Sequence, residues 1–154
     1  QKLFFNELEI YFDQTNFIIQ NANYFFYTKV INGKFPDFAR IIPKEIQNNL
    51  TLSKEILISA IKQVNIFSNE IKMSFNPNGI LFESMSNENF EAKTELEIST
   101  GFDREFTIAV NSRYIIDFLS GIETKEFVMS FNEPNTPFQL SSDNFITIIM
   151  PIAL

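Results

Sequence analysis

The chain has no histidine, no cysteine and no tryptophan among its 154 residues, and only four glycines. Without His or Cys, no Ser-His-Asp or Cys-His nucleophile, no imidazole or thiolate zinc site and no disulfide framework can be built. Any catalysis would have to come from carboxylates, lysine, tyrosine or backbone groups. The lack of cysteine fits a reducing cytosol. Positive charge is also scarce, with 12 Lys and Arg against 19 Asp and Glu and a formal net charge of −7. Non-specific affinity for nucleic acid comes mostly from cations neutralising phosphates, so an acidic chain should grip DNA or RNA weakly by direct contact. No stretch reaches the roughly 18 consecutive apolar residues of a membrane-crossing helix, so none is expected. The opening Gln1-Lys2-Leu3-Phe4-Phe5-Asn6-Glu7 is too short and too soon acidic for a signal peptide. The missing initiator Met is what a fragment or a processed product would show.

What is present in quantity is phenylalanine, at 19 positions, within an apolar fraction of 45%. That is ample for a buried core, and the length fits one complete domain with part of another. Most of the sequence alternates apolar and polar residues in short runs broken by Asn, Pro or Gly, the pattern of half-buried strands. Leu8-Glu9-Ile10-Tyr11-Phe12 reads as a strand, Asp13-Gln14-Thr15-Asn16 as its turn, and Phe17-Ile18-Ile19-Gln20 as the return. Asn21-Ala22-Asn23 turns again into a strand from Tyr24 to Ile31, followed by Asn32-Gly33, a dipeptide that tolerates positive φ.

Two stretches have helical period instead. After Ser53, an N-cap candidate, Ile56, Leu57, Ala60, Ile61 and Val64 recur on one side, with Lys54, Glu55, Ser59, Lys62 and Gln63 opposite. A second helix begins at Asn111 or Ser112, with Tyr114, Ile115, Phe118, Leu119 and Ile122 apolar and Arg113, Asp117 and Ser120 polar. Gly121 stands near its end as a C-terminal signal. Each amphipathic helix is expected to cover one face of a sheet.

The sequence then repeats. Met73-Ser74-Phe75-Asn76-Pro77-Asn78-Gly79-Ile80-Leu81-Phe82 matches Met129-Ser130-Phe131-Asn132-Glu133-Pro134-Asn135-Thr136-Pro137-Phe138 at an offset of 56 residues. Both follow a helix, turn through Asn and Pro and lead into a further strand, and Ile10 to Ile19 is a weaker third copy. Each unit is strand, helix, then three strands, the first copy lacking its opening strand and most of its helix. Duplication implies an α+β fold: two similar antiparallel sheets related by a pseudo-two-fold axis, with two helices side by side.

Four segments, in order, then resemble one family. Lys29-Val30-Ile31-Asn32-Gly33-Lys34-Phe35-Pro36-Asp37-Phe38-Ala39-Arg40-Ile41-Ile42-Pro43 is similar to the "L-I-D-G-x-F-P-D-Y-x-R-V-I-P" segment of the bacterial DNA polymerase III beta subunit, the replicative sliding clamp. Ile66-Phe67-Ser68-Asn69-Glu70 resembles its "I-L-S-N-E", Asn111-Ser112-Arg113-Tyr114 its "F-N-x-x-Y-L" helix start, and Ile148 to Leu154 its terminal "V-V-M-P-M-R-L".

The resemblance implies the DNA clamp (processivity) fold of duplicated β-α-β-β-β units, two helices packed on antiparallel sheets in each domain. Residues 1–37 would be the C-terminal strands of an incomplete middle domain and residues 38–154 the complete third domain. The full-length family member is a head-to-tail homodimeric ring that encloses and slides on duplex DNA. It is a non-catalytic subunit of a DNA-directed DNA polymerase complex in the bacterial cytoplasm and needs no cofactor or metal. Polymerase III alpha and clamp-loader subunits dock Q-L-x-L-F-type peptides in an apolar pocket. By matching positions this pocket would be lined by Pro36, Arg40, Ile41, Asn111, Tyr114, Pro137, Ile148, Met150, Pro151 and Ile152. Adaptable Met and Pro side chains suit Leu and Phe anchors, with Arg and Asn to hold the peptide backbone. Ala153 stands in place of the family's Arg, and Ala39 is uncharged where family members often carry Arg or Lys. Ile66 and Phe67 fall at the dimer interface, and Lys54, Lys62, Gln63 and Arg113 are candidates to face DNA.

Two rival readings compete. Glu88, Glu91, Glu95 and Glu97 could supply paired carboxylates for a hydrolase. Yet Glu95 and Glu97 lie two apart in an alternating strand, as on a solvated face, and no Gly-rich phosphate loop accompanies them. A generic β-rich binding domain would need neither a pair of adjacent helices nor a functional C-terminal segment. An incomplete ring subunit leaves its Ile66–Phe67 patch unmatched. Light scattering of the chain at micromolar concentration should therefore report a monomer or weak association; a tight dimer would overturn this expectation.

Overall fold

The computed structural model describes residues 7–35, 37–85 and 92–154, and the chain divides into two units, Gln1–Asp37 and Phe38–Leu154. The first unit is an antiparallel meander of β1 (Glu9–Phe12), β2 (Asn16–Gln20) and β3 (Phe25–Lys29). Its register pairs Ile10 with Ile19 and Ile18 with Tyr27. Asp13 makes the first turn: its carboxylate accepts the backbone N–H groups of Thr15 and Asn16, each at 2.7 Å. Together with the Asn16 side-chain amide, these donors lower its pKa to about 2. Asn21 repeats the device, its Oδ1 accepting from the N–H groups of Asn23 and Tyr24. Asn32-Gly33 departs from expectation. It bends without entering positive φ; among the described glycines only Gly101 does so.

The second unit carries the duplication. One copy is β4 (Asn48–Ser53), α1 (Lys54–Val64), β5 (Glu70–Asn76), β6 (Gly79–Ser84) and β7 (Lys93–Glu97). The other is β8 (Phe106–Asn111), α2 (Ser112–Gly121), β9 (Glu126–Phe131), β10 (Phe138–Ser142) and β11 (Phe145–Ile149). The two four-stranded sheets run β11-β10-β9-β4 and β7-β6-β5-β8. Each copy thus lends its opening strand to the sheet of the other, with Leu50 opposite Met129 and Ile108 opposite Met73. No loop separates β4 from α1 or β8 from α2. The first helical N–H of each, an orphan donor at a helix start, crosses to the other copy. Lys54 N donates to Lys125 O and Ser112 N to Asn69 O, both at 2.8 Å.

The core lies where the copies meet. Phe75 and Phe131, equivalent in the two copies, approach to 5.4 Å between ring centroids, and Phe106 stands 4.8 Å from each. Phe102 closes the cluster at 5.3 Å from Phe106 and Phe131. Each ring pair contributes about 0.5–1.5 kcal/mol beyond the area it buries. The helices press Leu57, Ala60, Ile61 and Val64, and Ile115, Phe118 and Leu119, into this core, and α1 lies against α2.

Two local expectations change, at Ile56 and Ser53. Ile56 is 48% exposed, one step off the buried stripe of α1. Ser53 occupies the N-cap position of α1, but its side chain makes no capping hydrogen bond. Gly121 is the last residue of α2, followed by an extended Ile122, and its small size serves packing, as described below. The glycine that steric closeness truly demands is Gly79, where an added Cβ would lie 2.5 Å from the Leu96 carbonyl oxygen in the neighbouring strand. Gly79→Ala must push β7 aside and should cost about 1–3 kcal/mol. Gly33→Ala, which meets nothing within 4 Å, should leave the denaturation midpoint almost unchanged; equal midpoints for the two variants would contradict the packing described.

Candidate partner-binding groove

The second helix is held at its start by its own first residues. Asn111 caps it, its Oδ1 accepting from Arg113 N at 3.0 Å, and the buried Ser112 hydroxyl donates to Asn69 O at 2.8 Å. With Ile115, Phe118 and Leu119 committed to the core, the helical period turns Tyr114 and Asp117 outward, and Tyr114 is 55% exposed. Beside the helix runs β11, an edge strand of five residues, FITII, without a charged residue. Helix and edge enclose an open groove of about 340 Å³ lined by Tyr114, Asp117, Phe118, Phe145, Thr147, Ile148, Ile149 and Met150. Gly121 makes it possible. A Cβ there would stand 3.3 Å from Phe145 Cε1, so its absence lets the Phe145 ring lie against the helix. The ring stacks on Phe118 at 5.6 Å with 6° between planes.

The pseudo-two-fold axis builds a second groove of about 300 Å³ between α1 and β7. The N-caps Ser53 and Asn111 correspond, so Ile56, Ser59 and Ala60 answer to Tyr114, Asp117 and Phe118. Through the register, Met73–Phe82–Thr94 corresponds to Met129–Leu140–Thr147, so Glu95 answers to Ile148. In this mate the Thr94 hydroxyl donates to Gln63 Oε1 at 2.9 Å and Glu55 and Glu95 supply acid. The same backbone carries two carboxylates and an amide among apolar side chains on one side of the axis and a far more apolar lining on the other. Sequence, not fold, makes the α2–β11 groove hydrophobic.

Of the residues implicated from sequence, Tyr114, Ile148 and Met150 meet in this groove. Asn111 is the helix cap. Pro137 stands half-buried just before β10. Pro151 and Ile152 continue the chain beyond β11, where Ile152 N donates to Ala109 O at 2.8 Å and forms an antiparallel bridge to β8. Arg40 ends a single 3-10 turn, Phe38–Arg40, and Ile41 follows it, 51% exposed. Pro36 lies outside the described residues. Sequence reasoning missed Asp117, Phe118, Phe145, Thr147 and Ile149; Phe118 is invisible as a groove residue because it reads as core, and Phe145 because only Gly121 gives it room.

Ile66 and Phe67 follow α1 and are 73% and 50% exposed. Lys62 and Arg113 are exposed on their helices, and Arg113 Nε stands 3.9 Å from Asp117 Oδ2. Gln63 faces solvent at the mate groove and accepts the Thr94 bond. Lys54 departs from a freely presented cation: its ammonium donates to Ile122 O at 2.7 Å, tying the start of α1 to the end of α2. Glu95 and Glu97 are exposed on one face of β7, whereas Glu88 and Glu91 lie outside the described residues. Among the described residues no group of three or more Asp or Glu side chains could hold a metal ion, and no helix is long and apolar enough to cross a membrane.

Residues 39–153 match the family model of the DNA polymerase III beta subunit, C-terminal domain. The beta sliding clamp of Helicobacter pylori strain J99 is 34% identical over 99% of this chain and 44% of its own length. That of Chlamydia muridarum is 30% identical over 94% of the chain and 41% of its own length. The chain therefore spans less than half the length of these relatives. Among solved structures, the Helicobacter pylori beta clamp bound to a DNA ligase peptide superposes with a TM-score of 0.80 at 34% identity, covering 99% of this chain and 42% of that one. The beta subunit from Thermotoga maritima gives 0.73 at 25% identity over 96% and 42%.

The two helix starts differ in a way that stability can read. Asn111→Ala removes a capping acceptor and should cost about 1 kcal/mol, whereas Ser53→Ala removes none and should cost only a few tenths. Denaturant titration of the two variants checks this, and equal losses would contradict the capping described.

Proposed function

Because the chain belongs to the DNA polymerase III beta subunit family, we propose that it is part of a bacterial sliding clamp, a processivity factor that encircles and slides on duplex DNA. Residues 38–154 are its third domain and residues 1–37 the last strands of the middle one. It works in the cytoplasm as a non-catalytic subunit of the polymerase complex, closing into a head-to-tail dimeric ring when full length. The exposed Ile66 and Phe67 belong to the ring-closing surface, and Lys62, Gln63 and Arg113 to the DNA-facing side. Lys54 has its ammonium engaged at Ile122 and acts there chiefly as a tie between helices.

Partner docking rests on one observation: the α2–β11 groove is far more apolar than its symmetry mate, which Glu55, Gln63 and Glu95 help to line. Tyr114, Ile148 and Met150, with Pro36, Arg40, Ile41, Asn111, Pro137, Pro151 and Ile152 on the strength of the resemblance, take up Q-L-x-L-F-type peptides of polymerase III alpha and clamp-loader subunits. Apolar anchors leave water in such a groove while the flexible Met150 side chain adapts to their shape. The ligase-peptide complex of the Helicobacter pylori relative supports this. Deleting Ile152–Leu154 tests it. The circular dichroism spectrum should persist, because a single backbone bond holds the segment to β8, while binding of a labelled Q-L-x-L-F peptide should vanish. Unchanged binding, or none by the intact chain, would overturn the docking site.

A further inference from the structure

The chain holds two Asn-Gly pairs, Asn32-Gly33 and Asn78-Gly79. Asparagine is a thermolabile side chain, and a glycine after it leaves the next backbone nitrogen unshielded, with no Cβ to limit rotation or approach. The structure treats the two pairs oppositely. Asn78-Gly79 is held in the β5–β6 hairpin. Asn78 N donates to Asn76 Oδ1 at 2.8 Å, and Asn78 O accepts from Ile98 N at 3.1 Å. Gly79 pairs with Asn76 on one side and Glu97 on the other, and the Leu96 carbonyl oxygen lies 2.5 Å from where its Cβ would stand. Asn32-Gly33 instead follows β3, which ends at Lys29. Both residues are exposed, and a Cβ added at Gly33 meets nothing within 4 Å. Among the described residues neither forms a hydrogen bond.

We propose that Asn32 is a site of spontaneous deamidation in the folded chain, and that its hairpin protects Asn78 from the same reaction. The Gly33 amide nitrogen attacks Asn32 Cγ. The new N–Cγ bond closes a succinimide ring, the Cγ–Nδ2 bond breaks, and ammonia leaves with the proton that Gly33 N loses. Water then opens the ring. Addition at Cγ gives aspartate, the residue that the resembled "L-I-D-G" segment carries at this place. Addition at the main-chain carbonyl carbon gives isoaspartate, which routes the backbone through the side chain. Either product replaces a neutral amide with a carboxylate and adds one negative charge to an already acidic chain. Ring closure requires Asn32 ψ to turn until Cγ meets the next nitrogen. An exposed bend without hydrogen bonds permits that rotation, whereas at Asn78 the hairpin must open first. The inference is independent of peptide docking.

Tryptic mapping of the whole chain after incubation in mildly alkaline buffer tests this. Cleavage after Lys29 and Lys34 releases Val30-Ile31-Asn32-Gly33-Lys34. Its mass should rise by the exchange of an amide for an acid, and an isoaspartyl methyltransferase should label part of the product. In the folded chain the reaction should run at least about tenfold faster at Asn32 than at Asn78. In denaturant, where the hairpin protects nothing, the two rates should converge. Gly33→Ala, whose added Cβ meets no neighbour, should slow the reaction severalfold with the circular dichroism spectrum unchanged. An Asn32 that stays intact, an Asn78 that reacts as fast in the folded chain, or an undiminished rate in Gly33→Ala would each overturn the proposal.

Discussion

Everything in the larger unit depends on the exchange of opening strands between its two repeats. Neither repeat can close its own sheet, because β4 completes the sheet of β9 and β8 that of β5. The exchange is fixed by the absence of any loop between strand and helix. The first helical N–H must find an acceptor at once, and finds it on the other repeat, at Lys125 for α1 and Asn69 for α2. Once the strands are exchanged, Phe75 and Phe131 are forced ring to ring across the pseudo-two-fold axis. Large aromatics at that place then fill the junction between the copies. The position of α2, and with it the wall of the groove, follows from this interlock and not from any contact made by the groove residues themselves.

Much of this was legible beforehand. Period-two strands, two helices and the Met-Ser-Phe-Asn repeat were all visible, because apolar spacing reports directly which face is buried. Asp13 and Asn21 turned where short side chains can accept the next N–H groups. The exchanged strands were not legible, since pairing between repeats leaves the same alternation as pairing within one. Nor was the second role of Lys54: a lysine at the start of a helix reads as solvated until the fold brings the Ile122 carbonyl to it. Ile56 was misread because it sits beside the buried stripe, where spacing alone separates core from surface by a single position.

The groove was half legible. Tyr114, Ile148 and Met150 came from a resemblance in short segments, which marks positions but not the cavity around them. Phe145 could not be found that way. It is the first strand residue after the Asp143-Asn144 turn, and its meaning depends on Gly121, which ends α2 and is also the gap into which the ring fits. A glycine that reads as a stop in sequence is also a packing device in space, and only the partner ring reveals the second role.

Symmetry finally separates what the fold needs from what the function needs. A duplicated domain yields two helix–edge grooves whether or not either is used, so shape alone is poor evidence for a site. Where the copies agree, as at Met73 and Met129 or Phe75 and Phe131, the fold is being served. Where they differ at equivalent positions, the fold has no say, since the same backbone tolerates both choices. Ile148 against Glu95, and Phe118 against Ala60, are differences of this kind. They leave an uncovered apolar surface beside an uncharged edge strand, which costs solubility unless a partner makes use of it. Such a surface is what the proposed docking of an apolar peptide would use. On the proposed docking reading the acidic balance of the rest has a physical role: it would keep non-specific contacts with phosphates weak while the apolar groove, which salt scarcely screens, took the partner.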